Sequence, residues 1–193
     1  MINLEKGQKI SLVSSNSNLG EILINLNWKP QKKGLFFKKS KIDLDLGCLY
    51  ELKDGAQDCV QALGNKLGSL IQPPYVALDG DDRTGTNLSG ENLRINGNKI
   101  SEIKRILVYA FIYNGVVNWK DAESFVTIKY PNAEDIVVKM DEFDNSNKMC
   151  GLVLFENQND ETFSVEKIIQ FYPGHRDLDK AFDWGLNWVS ARK

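Results

Sequence analysis

A single histidine, His175, stands in 193 residues, and the three cysteines, Cys48, Cys59 and Cys150, lie far apart with no Cys-x-x-Cys pair. So few nitrogen and sulfur ligands in no recognised spacing exclude a structural zinc site. An odd, scattered set of thiols reads instead as reduced, mostly buried side chains of a cytosolic protein. The formal net charge of −2 provides no bulk field to draw the chain to nucleic acid or anionic lipid. No apolar run approaches the ~20 residues that a membrane span needs. The opening Met1-Ile2-Asn3-Leu4-Glu5-Lys6 has neither the apolar segment nor the small-residue cleavage site of a secretory leader, so a cytoplasmic location is expected. A Gly-rich phosphate loop, a nucleophile elbow and a His-Glu-x-x-His helix are also missing. No enzyme activity is expected.

What is present is a great deal of strand. Hydrophobic residues make up 42% of the chain, enough for a sizeable core, and the length suits one domain over 1–193. Apolar and polar residues alternate with period two over 21–27 and 41–47, the second run continuing as one long strand over 42–52, and shorter strand-like runs follow at 75–78, 124–130, 136–140, 149–156 and 163–171. The run 106–113 is apolar throughout, which predicts a central strand covered on both faces. Turn-forming clusters such as Lys53-Asp54-Gly55, Tyr130-Pro131-Asn132 and Asp144-Asn145-Ser146-Asn147 separate these runs. Many short strands at this spacing predict a mainly β fold: a β-sandwich of two sheets with a C-terminal α-helix packed on it. The helix is expected because Leu178, Ala181, Phe182, Gly185, Leu186 and Val189 form one apolar stripe, with Asp177 as its N-cap. The Gly/Lys-rich stretch 30–39 is expected to be a mobile loop, and the four tryptophans read as core or interface residues.

Chemistry concentrates in two acidic clusters. In Asp79-Gly80-Asp81-Asp82-Arg83-Thr84-Gly85, followed by Gly90-Glu91, four carboxylates fall within thirteen residues alongside three glycines. Hard oxygen ligands at that density on a flexible backbone suit calcium. Upstream, Asp43 and Asp45 alternate with Ile42, Leu44 and Leu46, which places both acids on one face of a strand, about 7 Å apart. Two carboxylates at that spacing can clamp one divalent ion or lie under two. Each cluster also has a plain reading, as a tight turn and as the wet face of an amphipathic strand. The spacing is not that of an EF-hand, because Thr84 and Gly90 fall where that loop needs glycine and glutamate. His175, in a turn before a helix, reads as structural, since no oriented partner for a general base is evident.

The pairing of Asp43-Leu44-Asp45 with Gly80-Asp81-Asp82-Arg83-Thr84-Gly85 and Gly90-Glu91 resembles the paired signatures of the TerD superfamily of tellurite-resistance and stress proteins. The opening Leu4-Glu5-Lys6-Gly7 is similar to that family's start. Gln72-Pro73-Pro74-Tyr75-Val76-Ala77-Leu78-Asp79 and Gly174-His175-Arg176-Asp177-Leu178 resemble its TerA-like branch. The resemblance implies a calcium-binding β-sandwich acting as an interaction module in a tellurite and chemical-stress resistance system. It implies one or two Ca2+ ions held by Asp43, Asp45, Asp79, Asp81, Asp82, Thr84 and Glu91. Partners would be other Ter-type stress proteins, with no nucleic acid. The chain departs from the pattern at Thr86-Asn87-Leu88-Ser89, where typical members carry further acids. Fewer carboxylates imply weaker affinity or one ion fewer. Two rival functions remain at this level. One is a carboxylate-only metal-dependent hydrolase. The other is calcium-dependent docking to a membrane surface, with Lys32, Lys33, Leu35, Phe36, Phe37, Lys38 and Lys39 as the contact.

Overall fold

Period-two alternation decides which way each strand faces. In β3 (Glu21–Asn27), Ile22, Ile24 and Leu26 are fully buried while the residues between them are partly exposed. The computed structural model describes residues 1–13, 19–28, 43–79, 90–114, 117, 119–142, 144 and 146–190. Before β3 come two short strands, β1 (Ile2–Asn3) and β2 (Lys9–Ser11). After it come β4 (Asp43–Leu52), β5 (Gln57–Gln61), β6 (Gly68–Ser69), β7 (Val76–Leu78), β8 (Glu91–Asn96) and β9 (Ile103–Asn114). A single helical turn, α1 (Trp119–Ala122), precedes β10 (Phe125–Lys129), β11 (Ile136–Lys139), β12 (Met149–Gln158) and β13 (Thr162–Tyr172). The last helix is α2 (His175–Ala181).

These strands form the expected two-sheet sandwich. One sheet runs β1-β11-β10-β3-β8-β7-β6, and the other β2-β13-β12-β9-β4-β5. The main core lies between them, where Ile22, Ile24, Leu26, Leu93 and Ile95 meet Leu44, Leu46, Cys48, Ile106, Val108 and Ala110. β9 is central and covered on both faces. Its other side chains, Leu107, Tyr109 and Phe111, join Leu49, Met149, Leu178 and Trp184 in a second core on the outer face of the second sheet. That outer face is roofed by α2 and the residues after it.

The chain closes the sandwich at both edges by crossing from sheet to sheet. At one edge β1 pairs in parallel with β11, and β2 pairs with β13, so a single N-terminal segment edges both sheets. Leu4, between them, is 2% exposed. At the other edge the chain leaves β5 in the second sheet and enters β6 in the first through a 3-10 turn at Leu63–Asn65. Strand edges that are covered or very short do not recruit other chains.

The C-terminal helix is shorter than the apolar stripe predicted. It ends at Ala181, and its N-cap is Gly174, with Asp177 in the first turn. Asp183 (φ 51°) and Gly185 (φ 77°) take left-handed conformations that stop the helix. Phe182, Leu186 and Trp188 still pack on the second core, but from a non-helical return, while Val189 is 83% exposed. Asp179 organises that return. Its carboxylate accepts from Gly185 N (2.8 Å), Leu186 N (2.9 Å) and Trp188 Nε1 (2.9 Å). Arg105 donates to the Phe182 and Asp183 carbonyls and lies 3.8 Å over the Trp184 ring.

Candidate functional site

Of the described residues of the second acidic cluster, Glu91 is the one that reaches the start of β4, where Asp43 and Asp45 stand. Asp43 and Asp45 pair with Asn114 and Phe111 of β9. Both acids share the outer-face parity of Gly47 and Leu49, away from the main core. That face is not wet: Asp45 is 0% exposed. The oxygens Asp43 Oδ1, Asp45 Oδ2 and Glu91 Oε1 are all buried. Glu91 reaches the same strand from the opposite sheet. It follows the inward parity of Leu93 and Ile95, is 3% exposed, and its Oε2 accepts from Leu46 N at 2.5 Å.

Gly90 makes this approach feasible, and Gly47 a second one on the outer face. Gly90 has φ +66°, and a Cβ there would lie 2.1 Å from the Leu26 carbonyl oxygen. Only glycine lets β8 begin so close under β3 and turn Glu91 inward. At Gly47 the ring of Tyr109 occupies the place of the missing side chain, with Cε2 2.7 Å from where a Cβ would stand. The ring thereby crosses β4, and Tyr109 Oη donates to Gln61 Oε1 on β5 at 2.7 Å. Tyr109, Gly47 and Gln61 form one cross-strand row, next to the row of Phe111 and Asp45. Burial, with further contributions from Cys59, Cys48, Asp45 and Asp58, pushes the Tyr109 hydroxyl well above its ordinary range, so it stays protonated.

Asp79 is placed apart from this group. Its backbone N–H donates to the Asn92 carbonyl, but its carboxylate is gripped on the outer face of the first sheet by Arg94. Arg94 Nε lies 2.7 and 2.8 Å from the two oxygens, and its Nη1 also bonds Glu21. The hydrogen bonds it donates to Asp79 and Glu21 hold this guanidinium charged well beyond its usual range. No spacing rule in the sequence links Arg94 to Asp79; the pairing arises from the β7–β8 register, Ala77 opposite Arg94. Asp81, Asp82 and Thr84 lie outside the described residues, as does the stretch 30–39. The described residues that flank 80–89 are Asp79, bonded to β8 at Asn92, and Gly90, which lies against the Leu26 carbonyl at the end of β3 and precedes Glu91. Among the described residues, no three His, Cys, Asp or Glu side chains gather closely enough to hold a metal ion.

His175 opens α2 and is packed as a ring among rings. It lies 5.0 Å from Phe111, 5.5 Å from Tyr109 and 5.0 Å from Trp188, centroid to centroid. Burial lowers its pKa to about 4, so it is neutral at physiological pH. Asp144 sits in its own turn, where Ser146 and Asn147 donate to its carboxylate. All three cysteines are buried and unlinked, and burial raises the pKa of each thiol, Cys59 to about 12.

Comparison with known proteins places this geometry. Residues 1–134 match the TerD domain. The chain is 40% identical over 198 residues to the tellurium resistance protein TerA of an Alcaligenes species, covering 100% of this chain and 58% of that protein. It is 35% identical over 104 residues to the tellurium resistance protein TerZ of Serratia marcescens, covering 51% of each. The chain therefore spans less than two thirds of the length of these curated relatives. Its fold resembles the crystal structure of a protein of unknown function, with a TM-score of 0.60 at 13% identity over 81% of this chain and 92% of that one. It also resembles the crystal structure of a homologue of the telluride resistance protein TerD from Streptomyces coelicolor A3(2). There the TM-score is 0.58 at 16% identity, over 83% of this chain and 95% of that one.

Proposed function

This chain belongs to the TerD domain family, and from that premise we propose that it is a calcium-binding β-sandwich serving as an intracellular interaction module in a tellurite and chemical-stress resistance system. The observation that carries the proposal is the burial of carboxylate oxygens from Asp43, Asp45 and Glu91 around the start of β4. Carboxylates placed near one strand end repel one another, and a divalent cation on hard oxygen donors offsets that repulsion. Carboxylates are the donors calcium prefers, and the described part of the site offers no nitrogen or sulfur to favour a softer metal. Asp81, Asp82 and Thr84 would complete the ligand set from the 80–89 segment, which is followed directly by Gly90 and Glu91. Bound there, calcium would neutralise the acids and tie the segment to the sandwich, shaping a surface for other Ter-type proteins.

Calorimetric titration of the full chain with calcium tests this directly. Asp45→Ala should weaken binding, because Asp45 is a fully buried carboxylate on β4 beside Glu91's contact with Leu46. Asp144→Ala should not, because its carboxylate is occupied within a separate turn. Equal affinity in wild type and both variants, or no heat in any of them, would overturn the proposal.

A further inference from the structure

We infer that Glu91 is a positioning residue: a brace between the two sheets that holds the start of β4, and with it Asp43 and Asp45, in place. The inference deepens the reading of this end of the molecule as a cation site, but its physical basis is independent of any cation. The β5 ladder on β4 runs from Glu51 back to Gly47, opposite Gln61, and stops there. The next backbone N–H, that of Leu46, lies beyond the ladder, on a residue that is 0% exposed. A buried N–H that loses its strand partner must find another acceptor. Glu91 Oε2 is that acceptor, and it comes from β8 in the other sheet. Two features show that the contact is built in. Gly90 has the left-handed φ that starts β8 directly beneath the Leu26 carbonyl, and Glu91 takes the inward parity of a core position at which its neighbours are Leu93 and Ile95. A glutamate at a core position beside a purpose-made glycine serves the β4 backbone.

The brace and a pure ligand differ in what glutamine can replace. Glutamine keeps a carbonyl oxygen for Leu46 N but loses the charge, whereas alanine loses both. Three melting curves in chelator, for wild type, Glu91→Gln and Glu91→Ala, read the brace without any cation. Glu91→Gln should melt with wild type or above it, and Glu91→Ala clearly below, because it orphans a buried donor. Calcium titration of the same proteins gives the second readout. Glu91→Ala should lose about tenfold or more in affinity, with Glu91→Gln recovering much of that loss and Asp45→Asn recovering none of its own. If Glu91→Ala melts with wild type in chelator, or if Gln and Ala lose affinity equally, the brace is wrong and Glu91 is at most a ligand. If wild type binds no calcium, the cation reading falls, and the chelator curves alone decide the brace.

Discussion

Asp45 and Gly47 are two residues apart on the same face of β4, and their surroundings explain each other. Alternation alone separates Asp43 and Asp45 from Leu44 and Leu46, so their shared face was legible in the sequence. That this face is dry was not, because what covers it comes from β9 and from beyond residue 170, and no local pattern announces it. The role of Gly47 was equally hidden: it reads as the end of an acidic strand, yet it is where the Tyr109 ring lies. Gly47→Ala should therefore destabilise the fold by about 1–3 kcal/mol, the usual effect of overpacking. Tyr109 is 0% exposed and bonded to Gln61, so its ring has nowhere to retreat. Urea denaturation measures this, and a midpoint equal to wild type would show that the ring moves freely. The thiols give a second prediction at this scale. Folding raises the pKa of Cys48, Cys59 and Cys150 by burial, so the thiolate is nearly absent near pH 8 in the native state and appears only on unfolding. An aromatic disulfide reagent should titrate no thiols in the native protein at that pH and all three in denaturant. Stoichiometric labelling of the native protein would contradict the buried placement.

At the scale of elements, the long strands and the short β7, β10 and β11 were legible, whereas β1, β2, β5, β6 and β8 were not. β3 occupies the run predicted for it, and β4, β9, β12 and β13 differ from their predicted runs by only a few residues at either end, because seven to twelve residues of alternating or continuous apolar character leave little ambiguity. β8 has only Leu93 and Ile95 as apolar marks, and β5 is an edge strand with Cys59 and Val60, so neither shows a strong period. The C-terminal helix was overextended for a different reason. A stripe at helical spacing looks the same whether later residues continue the helix or fold back onto the face it covers. Gly185 was counted as part of the stripe, whereas its positive φ makes it a stop signal. Asp179, 5% exposed, is what makes the return definite, since its carboxylate accepts three donors from residues 185–188. Asp179→Ala should lower stability by about 2–3 kcal/mol, because it removes charge-assisted hydrogen bonds and strands their donors. Trp188 fluorescence should shift towards the exposed range in the same variant. An unshifted spectrum with unchanged stability would mean that aromatic packing alone holds the return.

For the whole molecule, the decisive feature is that stability and the candidate site lie at different edges of the same sandwich. Asp43, Asp45 and Glu91 belong to β4 and β8, whereas β1 and β2 edge the two sheets on the far side. The N-terminal segment bonds both sheets within a dozen residues: Leu4 N donates to the Val137 carbonyl, Gly7 N to that of Lys167, and Leu12 N to that of Phe163. Lys167, whose side chain is 1% exposed, adds an ion pair from β13 to Asp141 just beyond β11, so both sheets are tied along this edge twice. Leu4 plugs the gap between them. Leu4→Ala should cost about 2–5 kcal/mol, the range for truncating a buried leucine. That is a large share of the ~5–15 kcal/mol that holds a domain together. Because the segment edges both sheets, the loss should appear as one cooperative transition shifted to lower temperature, with no separate early phase for either sheet. Calcium in excess of Kd should raise the melting temperature of wild type and Leu4→Ala by similar amounts, since binding to the native state adds RT ln(1 + [L]/Kd), about 2.7 kcal/mol at a hundredfold excess. A calcium-induced rise that vanishes in Leu4→Ala would show that the two edges are coupled through the core, and that the site depends on the staple rather than on β4 and β8 alone.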